Sequence, residues 1–266
     1  MIQRIATAIV LIPLTLVLVL FSPAWVFLPL IGVLILICQK ELFQLLSRQG
    51  VQSYRLTFAV SLLLPWVWSS WPSLVTPYLL FASFSLFGWC VFATAEMPTA
   101  IRNVSSNLLV FLYIGLPLSL GVEYQSLRPR QLILILIAIW VSDSSAYLVG
   151  RKWGTRKITP RVSPNKSLQG FLAGGGSAPL AVLLLGGYLL PQWTTVQLLG
   201  AGLVLAVSGL LGDLFESVLK RSVGVKDSSQ WIPGHGGVLD RLDSLLFVLP
   251  AYHLLMILLE WPATPG

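Results

Sequence analysis

The sequence predicts an all-α integral membrane protein that crosses the bilayer about nine times. Of its 266 residues, 56% are hydrophobic and only 10% are charged, and the apolar residues are gathered in long runs. A soluble domain carries about 25% charged residues and about 45–50% apolar ones. Backbone polar groups inside lipid must pair within their own segment, so the runs are predicted as helices. The alternating strands of about 10 residues that are typical of a membrane β-barrel are not seen.

The predicted spans follow one another at short intervals. A helix of about 20 apolar residues crosses a hydrocarbon layer of about 30 Å. The runs cover residues 5–21, 26–38, 56–71, 77–95, 104–122, 131–149, 169–190, 196–212 and 241–260. We interpret the first as an uncleaved span, because it lacks an A-x-A cleavage site and another apolar run follows at once. Residues 1–130 then form an amino-terminal region of about five spans, and residues 131–266 a catalytic region of about four spans with two cytoplasmic loops.

The distribution of basic residues predicts the orientation. When nine spans alternate from the amino terminus, only Arg128 and Arg130 of the 17 Lys and Arg residues fall on the opposite side. Cytoplasmic loops carry an excess of basic residues, so the amino terminus is predicted to be cytoplasmic and the carboxyl terminus external. We expect a multi-pass protein of the cell inner (plasma) membrane with its active site on the cytoplasmic face. Nucleic acid is not an expected partner, because the basic residues lie in short loops without a binding module.

Charged residues are concentrated near the ends of the last two spans. Residues 213–243 include nine of the 27 charges. One helical face carries Asp213, Glu216, Ser217, Lys220 and Arg221. Asp240 and Asp243 are one turn apart where the ninth span begins, and acids entering an apolar helix are costly unless a cation meets them. The residues between these helices include Gly234, Gly236 and Gly237, which are typical of a turn that cradles phosphate.

A second polar patch precedes the seventh span. Asp143 lies near the cytoplasmic end of the sixth span, and a basic loop follows at residues 151–161 before Ser163 and Lys166. An acid at the end of a membrane helix is a candidate functional residue, and the basic loop would attract an anionic head group. In residues 213–243 the candidate ligands are hard oxygens without a thiol or imidazole cluster, which favours Mg²⁺ over softer metals.

The motif around these residues resembles the signature of the phosphatidate cytidylyltransferases, also called CDP-diacylglycerol synthases. It runs from Ser217 through Lys220-Arg221 and Lys226-Asp227 to the segment 233–243, which reads PGHGGVLDRLD. The Gly212-Asp213-Leu214 and Asp143…Ser163-Pro164 segments are also similar, so the resemblance covers roughly residues 140–245. The chain departs from the family pattern at Asn165 and Gln169, where each replaces a charged residue.

The resemblance implies the reaction of CTP with phosphatidic acid to give CDP-diacylglycerol and pyrophosphate in the lipid bilayer. It implies Mg²⁺ held by Asp213, Asp240 and Asp243, and it leaves open a second cation and a homodimer. Lys226 and Asp227 join these acids as catalytic residues. The substrate-binding residues that it implies are Asp143, Ser163, Lys166, Ser217, Lys220, Arg221, His235, Gly236, Gly237 and Arg241.

Other interpretations stay open at this point. Asp213 to Lys220 fit a solvated helix end, Asp240 and Asp243 fit capping acids, and the glycines at 170 and 174–176 favour close helix packing over a ligand site. A secondary transporter of an anionic solute is an alternative function, although no matched broken helices are found in the two halves. A CTP-dependent lipid kinase is another, and a CDP-alcohol phosphatidyltransferase is disfavoured because its Asp-Gly-x-x-Ala-Arg motif is absent.

Overall fold

The computed structural model describes residues 2–93, 97–229, 231 and 236–258, with side chains from residue 12 onward. Each predicted span falls on a helix. The helices are α1 (Ile2–Phe21), α2 (Ala24–Ser47), α3 (Arg55–Ser70), α4 (Val75–Ala93), α5 (Ala100–Val110), α6 (Leu116–Leu127), α7 (Pro129–Trp153), α8 (Leu168–Leu189), α9 (Thr195–Ser222) and α10 (Leu239–Leu258). A π-helical segment, Phe111–Gly115, joins α5 to α6, so the two helices correspond to one predicted span.

The helices confirm an all-α polytopic membrane protein. Among the described residues, seven helical segments are long and apolar enough to cross a bilayer. They are Ala24–Ser47, Pro72–Ala93, Met97–Leu127, Pro129–Trp153, Leu168–Leu189, Thr195–Ser222 and Leu239–Leu258. The other two predicted spans correspond to α3, which has 16 residues, and to α1, whose shorter apolar part is Ile12–Phe21.

The second helix is longer than the sequence predicts. The apolar run was expected to end at residue 38, before the polar residues Gln39, Lys40 and Glu41, but α2 continues to Ser47. Gln39 and Glu41 are both buried because each has hydrogen-bond partners: Gln39 donates to the Ser61 hydroxyl, and Glu41 accepts from several groups described below. Polar residues therefore do not end this helix, since Glu41 and the amide nitrogen of Gln39 have hydrogen-bond partners inside the protein.

The chain forms two compact units. The first comprises Met1–Ser126 together with Ser222–Arg241, and the second comprises Leu127–Arg221 together with Leu242–Gly266. In the first unit, the buried Asn107 amide fixes the start of α3. Its Oδ1 accepts from the Tyr54 backbone N–H at 2.8 Å and from the Thr57 hydroxyl at 2.7 Å, while its Nδ2 donates to the Gln52 carbonyl at 2.8 Å.

Small residues bring the helices of the second unit close together. A Cβ at Gly174 would lie 2.9 Å from the Ser142 Oγ of α7, and one at Gly202 would lie 2.4 Å from the Pro179 Cα of α8. A Cβ at Gly212 would lie 2.4 Å from the Asp243 carbonyl oxygen of α10. Such contacts are typical of membrane helices. The packing role expected for Gly170 and Gly174 is confirmed, and that expected for Gly175 and Gly176 is wrong, because a Cβ at either would meet nothing within 4 Å.

The segment between α7 and α8 forms a short antiparallel hairpin, which the sequence analysis expected only as a basic loop. Its strands are β1 (Lys157–Thr159) and β2 (Ser163–Ser167), with Thr159 paired to Ser163. Ser167 then caps α8, because its side chain accepts the backbone N–H of Gly170 at 3.2 Å. The hairpin thus fixes where Ser163 and Lys166 lie before α8 begins.

Candidate active site

In the second unit, a carboxylate on α9 meets a lysine of the hairpin. Lys166 Nζ of β2 lies 2.6 Å from Asp213 Oδ2, with the two side chains 19% and 38% exposed. The Ser217 hydroxyl, one turn along α9, donates to Asp213 Oδ1 at 3.5 Å. The structure therefore brings together three of the predicted site residues, Lys166, Asp213 and Ser217.

Asp243 of α10 lies near the same group of charges. It is within electrostatic range of Asp213, Asp143 and Lys220. The Asp243 carbonyl oxygen packs against Gly212, the residue before Asp213. The close approach of α9 and α10 at Gly212 therefore helps to set the distance between Asp243 and Asp213. Three predicted acids, from three helices, thus share one electrostatic environment in this unit.

Lys220 is held by a buried ion pair within α9. Its Nζ lies 2.7 Å from Glu216 Oε2, and both residues are buried. The spacing of four residues places them on one face of the helix. The neighbouring Arg221 is exposed, and its Nε donates to the Val162 carbonyl of the hairpin at 3.3 Å. Lys220 is therefore held by a pair within its own helix, as the alternative of a helix end with intrahelical pairs also expects, and Arg221 is held by the hairpin.

In the first unit, the Asp240 carboxylate organises the segment before α10. Its Oδ2 accepts hydrogen bonds from the Ser228 backbone N–H at 2.9 Å, the Ser228 hydroxyl at 2.8 Å and the Gly237 N–H at 2.7 Å. Gly236 has a φ of +78°, which glycine adopts readily and other residues rarely do. These contacts give Asp240 a defined orientation at the start of α10.

Carboxylates accept the backbone N–H groups of Gly237, Val238 and Leu239, at the end of the glycine-rich turn. The turn was predicted to wrap a polyphosphate, but in this structure the N–H of Gly237 donates to Asp240. The N–H groups of Val238 and Leu239 donate to Glu41 of α2 at 3.1 and 2.8 Å. Two acids of the protein itself therefore accept the N–H groups of residues 237–239.

Glu41 is a residue that the sequence analysis did not single out. The signal that could have found it is its position, since an acid in an otherwise apolar helix is a functional candidate. The predicted span ended at residue 38, so Glu41 was taken to lie in a loop. It is 2% exposed in the structure.

The remaining predicted residues are placed as follows. Lys226, Asp227 and Arg241 of the first unit are exposed, as is Asp143 of α7, and Ser163 at the start of β2 is half-buried. His235 lies outside the described residues.

Asp213 and Asp243 of the second unit are the candidate ligands for Mg²⁺. No three Asp, Glu, His or Cys side chains lie together as metal ligands in the described parts of the chain. Mg²⁺ is commonly bound through one or two carboxylates, with substrate phosphates and water completing its octahedral shell. Asp213 and Asp243 supply two hard-oxygen side chains whose charges interact, and two carboxylates are the donors that such an ion takes from protein when substrate completes its shell.

Comparison with known proteins assigns the chain to a family. The family model described as "Cytidylyltransferase family" matches residues 2–259. The chain belongs to the cytidylyltransferase family. The match extends well beyond residues 140–245, where the sequence analysis placed the resemblance, and it includes α2 with Glu41.

Relatives of this cytidylyltransferase carry a more specific name. It is 34% identical over 233 residues to a phosphatidate cytidylyltransferase of Staphylococcus aureus (strain COL), covering 85% of this chain and 88% of the relative. It is 33% identical to one of Synechocystis sp. over 292 residues, with 97% of each chain covered. A third, from Staphylococcus epidermidis, is 39% identical over 150 residues, 56% of this chain and 58% of the relative. The family resemblance predicted from the motifs is confirmed.

Proposed function

We propose that this cytidylyltransferase converts CTP and phosphatidic acid to CDP-diacylglycerol and pyrophosphate, with its active site on the cytoplasmic face of the membrane. The observation that carries the proposal is the charge cluster of the second unit, in a chain related over most of its length to phosphatidate cytidylyltransferases. Asp213 pairs with Lys166, and Asp243 interacts electrostatically with Asp213 and Lys220. Acids to hold a cation and lysines to hold phosphates are the side chains that phosphoryl-group chemistry requires.

In this reaction a phosphate oxygen of phosphatidic acid attacks the α-phosphorus of CTP. A new P–O bond forms, the bond from the α-phosphorus to the bridging oxygen breaks, and pyrophosphate leaves with the electron pair. The lipid phosphate is already an anionic nucleophile, so no Ser–His pair is needed. The protein must instead bring two anions together and neutralise the charge that develops on the leaving group. Lys166 and Lys220 supply positive charge for this purpose.

We propose Mg²⁺ as the cation of this site, with Asp213 and Asp243 holding it. When bound, the ion would neutralise charge on the phosphate oxygens and orient the triphosphate. Asp240 was predicted as a third ligand, and its role as one stays a prediction. In the first unit, Asp240 also has a structural task, since its Oδ2 organises Ser228 and Gly237.

Incubating the purified protein with CTP, phosphatidic acid and Mg²⁺ tests the proposed reaction. With the CTP radiolabelled in its α-phosphate, we expect label in the lipid extract and one pyrophosphate released for each lipid labelled. With the label moved to the γ-phosphate, the lipid should stay unlabelled. Labelled lipid from γ-labelled CTP, with release of CDP, would instead identify a lipid kinase. Solute flux into proteoliposomes without CTP would support a transporter.

The proposed orientation makes a separate prediction about the chain ends. Nine spans with a cytoplasmic amino terminus place the carboxyl terminus outside, because each span reverses the side. A reporter that is active only outside the cytoplasm, fused after residue 266, should therefore be active, and the same reporter fused at the amino terminus should be inactive. If both fusions are inactive, both chain ends lie in the cytoplasm and the number of spans is even.

A further inference from the structure

The buried Glu41 carboxylate binds the segment that precedes α10 at four points. Besides the N–H groups of Val238 and Leu239, it accepts the Ser229 hydroxyl at 2.6 Å on Oε1 and the Ser228 hydroxyl at 3.2 Å on Oε2. Its partners are about 190 residues away along the chain. A side chain of α2 thus fixes both ends of the segment 228–239, which includes the glycine-rich turn.

Two further contacts join the region of α2 to residues near this segment, one at Trp231 and one at Ser222. Lys40 Nζ lies 5.6 Å from the centre of the Trp231 ring, a cation–π distance. The Gln49 side chain, just after α2, donates to the Ser222 carbonyl at 3.0 Å. Glu41 is the buried member of this set, and a buried carboxylate is tolerated only when it is well hydrogen-bonded.

The geometry requires a carboxylate at position 41. Val238 N–H donates to one oxygen and Leu239 N–H to the other, so both side-chain oxygens must act as acceptors. A negative charge at this position is also favoured by the amino terminus of α10. Glutamine has the same shape, but its amide nitrogen is a donor and would face one of the two N–H groups. An isosteric change therefore breaks the arrangement.

Glu41 is connected to Asp240 through Ser228 and Gly237. The Ser228 hydroxyl lies within hydrogen-bond distance of both carboxylates, and the Gly237 N–H donates to Asp240. A Cβ at Gly237 would lie 2.1 Å from Ser228 Oγ and 2.5 Å from Glu41 Oε2. The two acids, the serine and the glycine are therefore packed so closely that a shift of one moves the others.

We propose that Glu41 is a positioning residue for cytidylyl transfer. From α2 it holds Ser228, Ser229 and the first residues of α10, and thereby fixes the orientation of the Asp240 carboxylate. The inference rests on the proposed function and on the predicted role of Asp240 as a third ligand in it. It assigns a role in the reaction to the amino-terminal half of the chain, outside the region of the signature motif.

The substitution Glu41→Gln in the full-length protein tests this role. We expect kcat for cytidylyl transfer to fall by about 10–100-fold, the range for losing a residue that orients a functional group. The KM for phosphatidic acid should change by less than about twofold, because residues of the second unit keep their contacts. The Glu41→Asp variant keeps the charge and should recover part of kcat. If Glu41 were only structural, both variants would yield less folded enzyme, and the kcat of the folded enzyme would not be higher in Glu41→Asp than in Glu41→Gln.

A matched control lies two residues earlier on the same helix. Gln39 is equally buried and also loses a hydrogen bond when it is replaced, but its partner Ser61 belongs to α3. Gln39→Leu should therefore lower the thermal midpoint of unfolding as Glu41→Gln does, while its kcat stays within about twofold of the wild type.

If Glu41→Gln does not fold, Ser229→Ala decides the question, because it removes one partner of Glu41 and leaves the carboxylate. It should lower kcat by a smaller factor than the loss of Glu41. An unchanged kcat in a folded Glu41→Gln protein, or in Ser229→Ala when Glu41→Gln is unfolded, would overturn the inference alone. If wild type and Gln39→Leu also form no CDP-diacylglycerol, the proposed function fails and the inference fails with it.

Discussion

Replacing Gly212 by alanine should abolish most of the activity and destabilise the protein. The new Cβ would lie 2.4 Å from the Asp243 carbonyl oxygen and 3.1 Å from the Ser244 Cα. Both are backbone atoms, so no side-chain rotation relieves the contact, and α9 and α10 must separate. Overpacking of this kind costs about 1–3 kcal/mol. A displacement of about 1 Å between Asp213 and Asp243 would lower the rate by roughly 100-fold.

Gly209→Ala is the matched control for this change. Gly209 lies on the same helix, nearly one turn earlier, but its Cβ would be 3.6 Å from the nearest atom, a methyl group of Val248. That is an ordinary contact, and alanine is favoured over glycine inside a helix by about 1 kcal/mol. Thermal unfolding in detergent and pyrophosphate release should both stay near wild type. If Gly212→Ala behaves like Gly209→Ala, the spacing of α9 and α10 does not control the site.

The sequence predicts the helices of this fold well because lipid imposes a simple rule on composition. Runs of apolar residues long enough to cross a bilayer have few alternatives to a helix, and each of the predicted runs coincides with one. The predicted end of α2 was wrong, because the position at which this helix ends depends on tertiary contacts. Glu41 is stabilised by residues nearly 200 positions away, and hydropathy along the chain carries no information about such partners.

In the candidate site too, contacts within one helix could be predicted from the sequence, whereas contacts between distant parts of the chain could not. The shared helical face of Asp213, Ser217 and Lys220 follows from their spacing, and the structure keeps Asp213 and Ser217 in contact. The Lys166 contact with Asp213 depends on the hairpin, whose strands are too short to give an alternating pattern. The glycines at 236 and 237 predicted a special backbone conformation, which Gly236 adopts with its positive φ, but composition could not tell which groups accept the N–H of Gly237.

Asp213→Asn should lower kcat by at least about 100-fold while the protein stays folded. Asparagine keeps the size of the side chain but removes the charge that would hold a divalent cation and that faces Lys166. Losing a group that stabilises charge in the transition state costs about 100–1,000-fold in kcat. The pair of Asp213 and Lys166 is partly exposed, but the Lys166 Nζ atom is buried, so losing the negative charge beside it should lower the free energy of unfolding by about 1–3 kcal/mol. Pyrophosphate release and thermal unfolding, measured on one preparation, separate these effects.

Glu123→Gln provides the corresponding control for loss of a carboxylate. Glu123 accepts the Trp68 indole N–H at 2.7 Å, and glutamine can still accept it through its carbonyl oxygen. This variant should keep wild-type activity. That result would show that loss of a carboxylate outside the site does not by itself lower kcat. Raising the Mg²⁺ concentration should partly restore turnover in Asp213→Asn if the weakened step is cation binding, because Asp243 remains. Wild-type kinetics in Asp213→Asn would remove this residue from the site, and the cation would then have to be held by other residues.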